Sequence, residues 1–384
     1  MNIRVALAAA ALLLLPTLAM AAEPRARDLG VPFDGTPGPL NAITDVAGVT
    51  VGHVTLIEDP DAAHAVRTGV TAILPRGADS ADRPVFGAVF ALNGNGEMTG
   101  TAWVEESGQL EGPVMLTNTH SVGVVRDAVI AWRIRQGHPD PSGYWWSLPV
   151  TAETWDGYLN DINGFHVRAE HAMAALDAAR GGPVAEGNVG GGTGMICHEF
   201  KCGIGTASRR VTAAKTPYVV GVLVQANYGV RDTLRIAGVP VGREIRIHRT
   251  KDDDTAAATD TGSIIIVVGT DAPLLPHQLK RLARRAALGL ARNGSYAGNG
   301  SGDLFIAFST ANAAAERPLN TASFVGNDSL DPLFLGTVEA TEEAIVNAMV
   351  AARDMRGQSG HFALALPHAE LRAVLKRYQR LKGP

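Results

Sequence analysis

The chain changes character abruptly at Ser263, and no other feature constrains its fold as strongly. The stretch Lys251-Asp252-Asp253-Asp254-Thr255-Ala256-Ala257-Ala258-Thr259-Asp260-Thr261-Gly262 is small and polar, the composition of a solvated linker. Directly after it, Ser263-Ile264-Ile265-Ile266-Val267-Val268 is a continuous β-branched run, which predicts a strand buried on both faces. Such a strand must be covered by other layers. The rest of the chain supplies them in mixed order, with short β-rich stretches at Val49–Leu56, Val70–Leu74, Pro84–Leu92, Tyr218–Gln225 and Leu304–Phe308. Helical spacing marks His166–Arg180, Pro276–Arg292 and Thr341–Met355. Thr341 is expected to cap the last of these, with Glu342 and Glu343 at its positive end. The mixture predicts a layered α/β architecture around an internal sheet sandwich.

The N-terminus predicts export. A short basic start is followed by an apolar run from Ala6 to Leu18 and by the small-x-small segment Ala19-Met20-Ala21, so residues 1–21 read as a signal peptide cut after Ala21. The product is expected in the periplasm or the medium, without membrane attachment. A net charge of −4 over 384 residues provides no basic stripe for phosphate neutralisation, which argues against nucleic-acid partners. An apolar fraction of 46% is enough for a substantial core. No cofactor is expected. A metal site is not expected either, since His198 is the one histidine near the two cysteines. Cys197 and Cys202 could form a disulfide or remain a buried free pair. The glycine cluster from Gly187 to Gly205 departs from the dinucleotide-binding pattern and reads either as a substrate-contacting loop or as a connector.

The Gly262-Ser263 junction carries the chemistry. No G-x-S-x-G elbow occurs, so an α/β-hydrolase nucleophile is not supported. A serine that opens a buried strand has another route. Its hydroxyl can attack the preceding carbonyl, the ester formed can be hydrolysed, and the new α-amine, with a pKa of roughly 7.7 to 8.0, can act as base. Gly262 leaves the carbonyl open to approach. In Asn299-Gly300-Ser301-Gly302-Asp303 a hydroxyl and a carboxylate stand two apart, so on extended backbone they share a face.

From Asp28 to Phe362 the chain resembles the family of L-aminopeptidase/D-amidase-esterases and β-peptidyl aminopeptidases. The strings that carry the likeness include Asn41-Ala42-Ile43-Thr44-Asp45-Val46-Ala47-Gly48-Val49, Thr117-Asn118-Thr119-His120-Ser121-Val122-Gly123, Asn160-Asp161-Ile162-Asn163-Gly164, Gln225-Ala226-Asn227-Tyr228-Gly229 and Thr270-Asp271-Ala272-Pro273-Leu274-Leu275-Pro276. To these are added Gly192-Thr193-Gly194-Met195, Gly262-Ser263-Ile264 and Asn299-Gly300-Ser301-Gly302-Asp303. The resemblance implies an αββα sandwich like that of N-terminal-nucleophile hydrolases but differently connected. It also implies self-cleavage into a large chain, 22–262, and a small chain, 263–384, that together form one catalytic domain and assemble as a tetramer of heterodimers. The implied activity is release of N-terminal L-, D- or β-residues from short peptides, amides or esters.

The resemblance assigns Ser263 as nucleophile, Ser301 and Asp303 as its proton-relaying neighbours, Asn227 as oxyanion donor and Glu153 as the carboxylate that reads the substrate ammonium. Some members carry glutamate at the position of Asp303. Others carry tyrosine at that of Trp155, whose indole can donate a hydrogen bond but cannot exchange a proton; a substrate-binding role by donation to the oxyanion, or a packing role, is expected there. Two rival readings are an acyl transfer of the ornithine acetyltransferase kind, which normally uses threonine as nucleophile, and a periplasmic binding protein without chemistry.

Overall fold

The computed structural model describes residues 24–61, 63–137, 146–245, 260, 262–312 and 320–382. The signal segment and Lys251–Thr259 of the polar stretch lie outside the described residues. In chain order the first strands are β1 (Thr50–Glu58), β2 (Val66–Ala78) and β3 (Val85–Gly94), then helix α1 (Thr101–Ser107). β4 (Gln109–Leu110), β5 (Val114–Asn118), α2 (Val122–Gln136), β6 (Val150–Thr154) and α3 (Ala169–Asp177) follow. A hairpin of β7 (Ile196–Cys197) and β8 (Phe200–Lys201) leads into β9 (Ile204–Ala213), β10 (Thr216–Asn227) and the short helix α4 (Val241–Glu244). The chain continues through β11 (Ser263–Thr270), α5 (Pro276–Arg292), β12 (Gly302–Ser309), α6 (Asp331–Val350) and α7 (His368–Arg377).

Two sheets form the interior. One has the order β1-β2-β5-β6 and the other β4-β3-β12-β11-β10-β9. Between them lies an apolar layer of Val51, Ile73, Leu116 and Ala152 from the first sheet against Leu223, Ile265, Val267 and Ile306 from the second. α2 and α3 cover the outer face of the first sheet, α2 through Val125, Val129 and Trp132 and α3 through Ala172, Ala175 and Leu176. α5 and α6 cover that of the second through Leu279, Leu282, Ala340 and Ala344. The layers therefore run helix, sheet, sheet, helix, as the resemblance implied. β11 is central and every one of its residues is buried, because Ile264, Ile266 and Val268 face the helices while Ile265 and Val267 face the other sheet. That two-sided burial is why the run is continuous instead of alternating. Among the described residues, no helix is long and apolar enough to cross a membrane.

Several expectations need correction. The helix expected from Thr341 begins at Asp331, ten residues earlier, with Pro332 in its first turn. Thr341 is an interior residue whose hydroxyl donates to the Thr337 carbonyl at 2.7 Å, and Glu343 is buried in an ion cluster far from any helix start. Sixteen of the helix's twenty residues are buried, so it lacks the polar stripe that marks helical period on a surface helix. The helix expected over His166–Arg180 is confined to Ala169–Asp177, because Arg180 leaves it to exchange backbone hydrogen bonds with Val51. The polar stretch before Ser263 is not solvated throughout: Asp260, near its end, is 2% exposed.

The structure also resolves two open questions. Cys197 and Cys202 are joined in a disulfide, with both residues fully buried. The glycine cluster is a close-packed crossing between the sheets. A Cβ on Gly191 would lie 2.1 Å from Gln225 Oε1, and one on Gly203 would lie 1.9 Å from the Gly187 carbonyl oxygen, so side chains are sterically shut out.

Candidate active site

Ser263 opens β11 at the point where three strand ends meet. It pairs with Asn227 on antiparallel β10 and with Gly302 on parallel β12, and it is 6% exposed. The register thus places Asn227 opposite Ser263 on one side, and Ser301 and Asp303 on either side of its partner Gly302 on the other. The peptide before Ser263 is held in place: the Gly302 N–H donates to the Gly262 carbonyl at 3.0 Å. A Cβ on Gly262 would lie 2.2 Å from the Asn227 carbonyl oxygen and 2.4 Å from Tyr228 Cα, so a side chain there could not be accommodated.

Ser301 donates its hydroxyl to Asp303 Oδ1 at 2.8 Å, and both residues are fully buried. Burial pushes the Asp303 carboxyl up to about 6; the Ser301 hydrogen bond opposes this and the negative charge of Asp260 adds to it. Asp303 Oδ2 has no hydrogen-bond partner among the described residues, and neither does the buried Tyr228 hydroxyl nearby. The loop that carries Ser301 hangs from the end of β3. Asn93 donates to the Gly298 carbonyl at 2.5 Å and Asn95 to that of Gly300 at 2.7 Å. Neither asparagine was singled out from sequence, although the string Asn93-Gly94-Asn95-Gly96 is a signal of irregular strand-end backbone.

Asn227 Oδ1 accepts the Ile196 N–H at 2.9 Å, which commits its amide nitrogen to donation. Ile196 belongs to the β7–β8 hairpin closed by the disulfide, so the bridge braces the residue that orients Asn227. Asn227 is 9% exposed and Glu153 3%. Glu153 comes from β6 of the other sheet. It accepts the Glu97 N–H at 2.9 Å and the Thr119 hydroxyl at 2.5 Å, with no Lys or Arg ion pair among the described residues; burial pushes its carboxyl above the ordinary value, and the two hydrogen bonds and nearby His120 oppose that shift. Gly96 joins the two sheets here. A Cβ on it would lie 3.2 Å from Glu153 Oε1 and 3.4 Å from Gly302 Cα, so a side chain would crowd the space between carboxylate and nucleophile strand. Beside Gly94 and Gly96 opens a cavity of about 500 Å³ floored by Val89, Met98 and Leu304. A cavity of about 850 Å³, lined by Arg25, Arg67, Arg180 and Glu186, shares no residue with this site. Trp155 lies farther out, 48% exposed with its indole over Gly157; it takes no part in the buried constellation. Among the described residues no group of His, Cys, Asp and Glu could hold a metal ion.

The arrangement supplies a hydroxyl at a strand end, a hydroxyl–carboxylate relay, an amide donor and a buried, unneutralised carboxylate suited to an ammonium. The chain as a whole is similar to known proteins. The sequence model of peptidase family S58 matches residues 41–363. A β-peptidyl aminopeptidase of Sphingosinicella microcystinivorans is 54% identical over 96% of each chain. The L-aminopeptidase D-Ala-esterase/amidase of Ochrobactrum anthropi is described as a prototype for the serine aminopeptidases and a new variant of the Ntn hydrolase fold. It superposes with a TM-score of 0.88 at 49% identity, over 94% of this chain and all of that one. A Burkholderia sp. β-aminopeptidase superposes with a TM-score of 0.84 at 49% identity, over 92% of this chain and 98% of its own.

Proposed function

The chain belongs to peptidase family S58 and is an aminopeptidase of the Ntn hydrolase fold, and from that premise we propose that it cuts itself before Ser263 and then hydrolyses substrates through an ester on the same hydroxyl. The observation that carries this reading is the Gly262 carbonyl resting on the Gly302 N–H directly beside Ser263, with Ser301 and Asp303 buried alongside. In the first reaction Ser263 Oγ bonds to the Gly262 carbonyl carbon, the C–N bond breaks, and the hydroxyl proton ends on the Ser263 nitrogen. Water then opens the ester, leaving Gly262 as a carboxylate and Ser263 as a free N-terminus. Chains 22–262 and 263–384 would remain associated as one catalytic domain.

In the mature enzyme the substrate's N-terminal ammonium pairs with Glu153, its carbonyl accepts from Asn227, and its acyl group passes to Ser263 Oγ while the leaving amine or alkoxide takes the hydroxyl proton; water then cleaves the ester, releasing the N-terminal residue as its carboxylate and restoring the Ser263 hydroxyl. Ser301 and Asp303 carry that proton between the hydroxyl and the Ser263 α-amine. The substrates are short peptides, amides or esters that begin with an L-, D- or β-residue. Assembly as a tetramer of heterodimers and location in the periplasm or medium complete the proposal. A serine nucleophile and likeness to aminopeptidases disfavour the acetyltransferase alternative, and an aminopeptidase is not a binding protein without chemistry.

Ser263→Ala tests the core of it. The expected result is a chain that remains in one piece on a denaturing gel and has no measurable peptidase activity, where the parent gives two bands. Cleavage of the variant at the same bond would assign processing to another protease and remove self-cleavage from the proposal.

A further inference from the structure

Asp260 stands in a polar stretch and is nevertheless buried, with its carboxylate bonded to two backbone donors. Oδ1 accepts the Gly229 N–H at 3.0 Å and Oδ2 accepts the Gly298 N–H at 3.4 Å. Gly229 lies two residues past the end of β10, and Gly298 lies in the loop that leads to Ser301 and β12. The two donors therefore belong to the segments on either side of Ser263. The fit is close on the second side, since a Cβ on Gly298 would lie 2.7 Å from Asp260 Cβ. Two residues further on, the Gly262 carbonyl accepts from Gly302.

We infer that Asp260 is a positioning residue for self-cleavage alone: it ties the segment before Ser263 across both flanking strands, keeps the Gly262 carbonyl on the Gly302 N–H, and plays no part in peptide hydrolysis after the cut. This rests on the reading that the chain processes itself. Every other group assigned to the chemistry is retained by the mature site. Asp260 differs in standing two residues before the scissile bond, on the segment whose end the cut frees, whereas Asn227 and Glu153 of the same large chain are held in strands β10 and β6. Burying a carboxylate beside another carboxylate costs free energy, and a role limited to the precursor explains why the chain tolerates that cost there.

The groups that face Asp260 are Asp303 from β12, Tyr228 at the end of β10, and His198 from the hairpin. Its negative charge raises the Asp303 carboxyl, and burial raises the Tyr228 hydroxyl with both carboxylates adding to the effect. Neutralising Asp260 while keeping an acceptor oxygen lowers the Asp303 carboxyl and moves the acid limb of cleavage to lower pH.

Refolding of the full chain from denaturant, followed by a time course on denaturing gels, tests the inference. Asp260→Ala should slow cleavage by about tenfold to a hundredfold, the loss expected for hydrogen bonds to a buried charge. The cut fraction should then hydrolyse peptides with the parental kcat/KM. Asp260→Asn should cleave faster than Asp260→Ala and show its acid limb displaced to lower pH. Parental cleavage by Asp260→Ala, or an equal loss of peptide hydrolysis after the cut, overturns the inference. Asp260→Asn, which keeps one of the two acceptor oxygens, tests the same point if Asp260→Ala fails to fold, because a loss of peptide hydrolysis after the cut equal to the loss of cleavage overturns the inference also. Continued cleavage of Ser263→Ala would instead count against self-processing, so the two failures are distinguishable.

Discussion

Asp303 and Glu343 are both buried carboxylates in the same domain, and the chain treats them in opposite ways. Glu343, on α6, receives two hydrogen bonds of 2.7 Å from Arg27, one of 2.6 Å from Asn41, and an ion pair with Arg209 at 2.8 Å. Burial pushes its carboxyl up, but these partners outweigh burial and hold it below the ordinary value. Asp303 has one hydroxyl and a second carboxylate for company, and stays near 6. A neutralised buried charge contributes to architecture. A buried carboxylate without a cation is poised to exchange a proton or accept one, and the fold bears the cost where chemistry needs it.

The sharpest way to break this contrast is to neutralise each carboxylate in turn. Asp303→Asn should lower kcat/KM by about a hundredfold to ten-thousandfold, the usual range for a lost proton-transfer group, with the fold intact. Its stability should change with pH in a definite sense. The folded-state carboxyl is raised from 3.8 to about 6, so ionisation opposes folding; that penalty is absent below about pH 4, grows as pH rises, and is complete above about pH 6. The variant should therefore melt higher than the parent at pH 8 and alike at pH 4. A variant that melts lower at pH 8 would show that Asp303 is an architectural residue like Glu343.

Glu343→Gln should do the reverse. Breaking a buried pair by removing one partner costs about 3 to 5 kcal/mol of stability, read as a lower denaturant midpoint, while kcat/KM of the folded fraction is retained. Because the Glu343 carboxyl is held below its ordinary 4.5, its contribution is present above that pH and is lost as pH falls through the folded value. Loss of catalysis without loss of stability would dissolve the distinction between the two regions.

Glu153 sharpens the comparison because it is buried, accepts two neutral hydrogen bonds and has no Lys or Arg ion pair among the described residues, His120 being the one basic group that acts on it. On the present reading the missing partner is the substrate ammonium. Glu153→Gln should spare self-cleavage and lower kcat/KM for free-amine peptides by about tenfold to a hundred-and-fiftyfold, the worth of one charge-assisted hydrogen bond. Equal turnover of free and N-acetylated peptides by the parent would remove this assignment.

The sequence by itself determined whatever depends on local period and chain order. β11 was legible from its β-branched run, α5 from its spacing and its proline start, and the shared face of Ser301 and Asp303 from their separation by two. The ordered strings made the family and its layered fold legible as well. Only the tertiary structure decided how Glu153 crosses from the other sheet by way of Gly96, how the Ile196 N–H fixes the side chain of Asn227, and that Cys197 and Cys202 are bridged. It also decided that α6 begins at Asp331 and that Asp260 is buried. Apart from the bridge, whose cysteines are five apart, these features rest on contacts between residues far apart in the chain, and on burial, which sets both pKa values and the cost of an unpaired charge. A buried helix shows no polar stripe, and a buried aspartate in a polar stretch has the composition of a solvated one, so neither announces itself before the layers close.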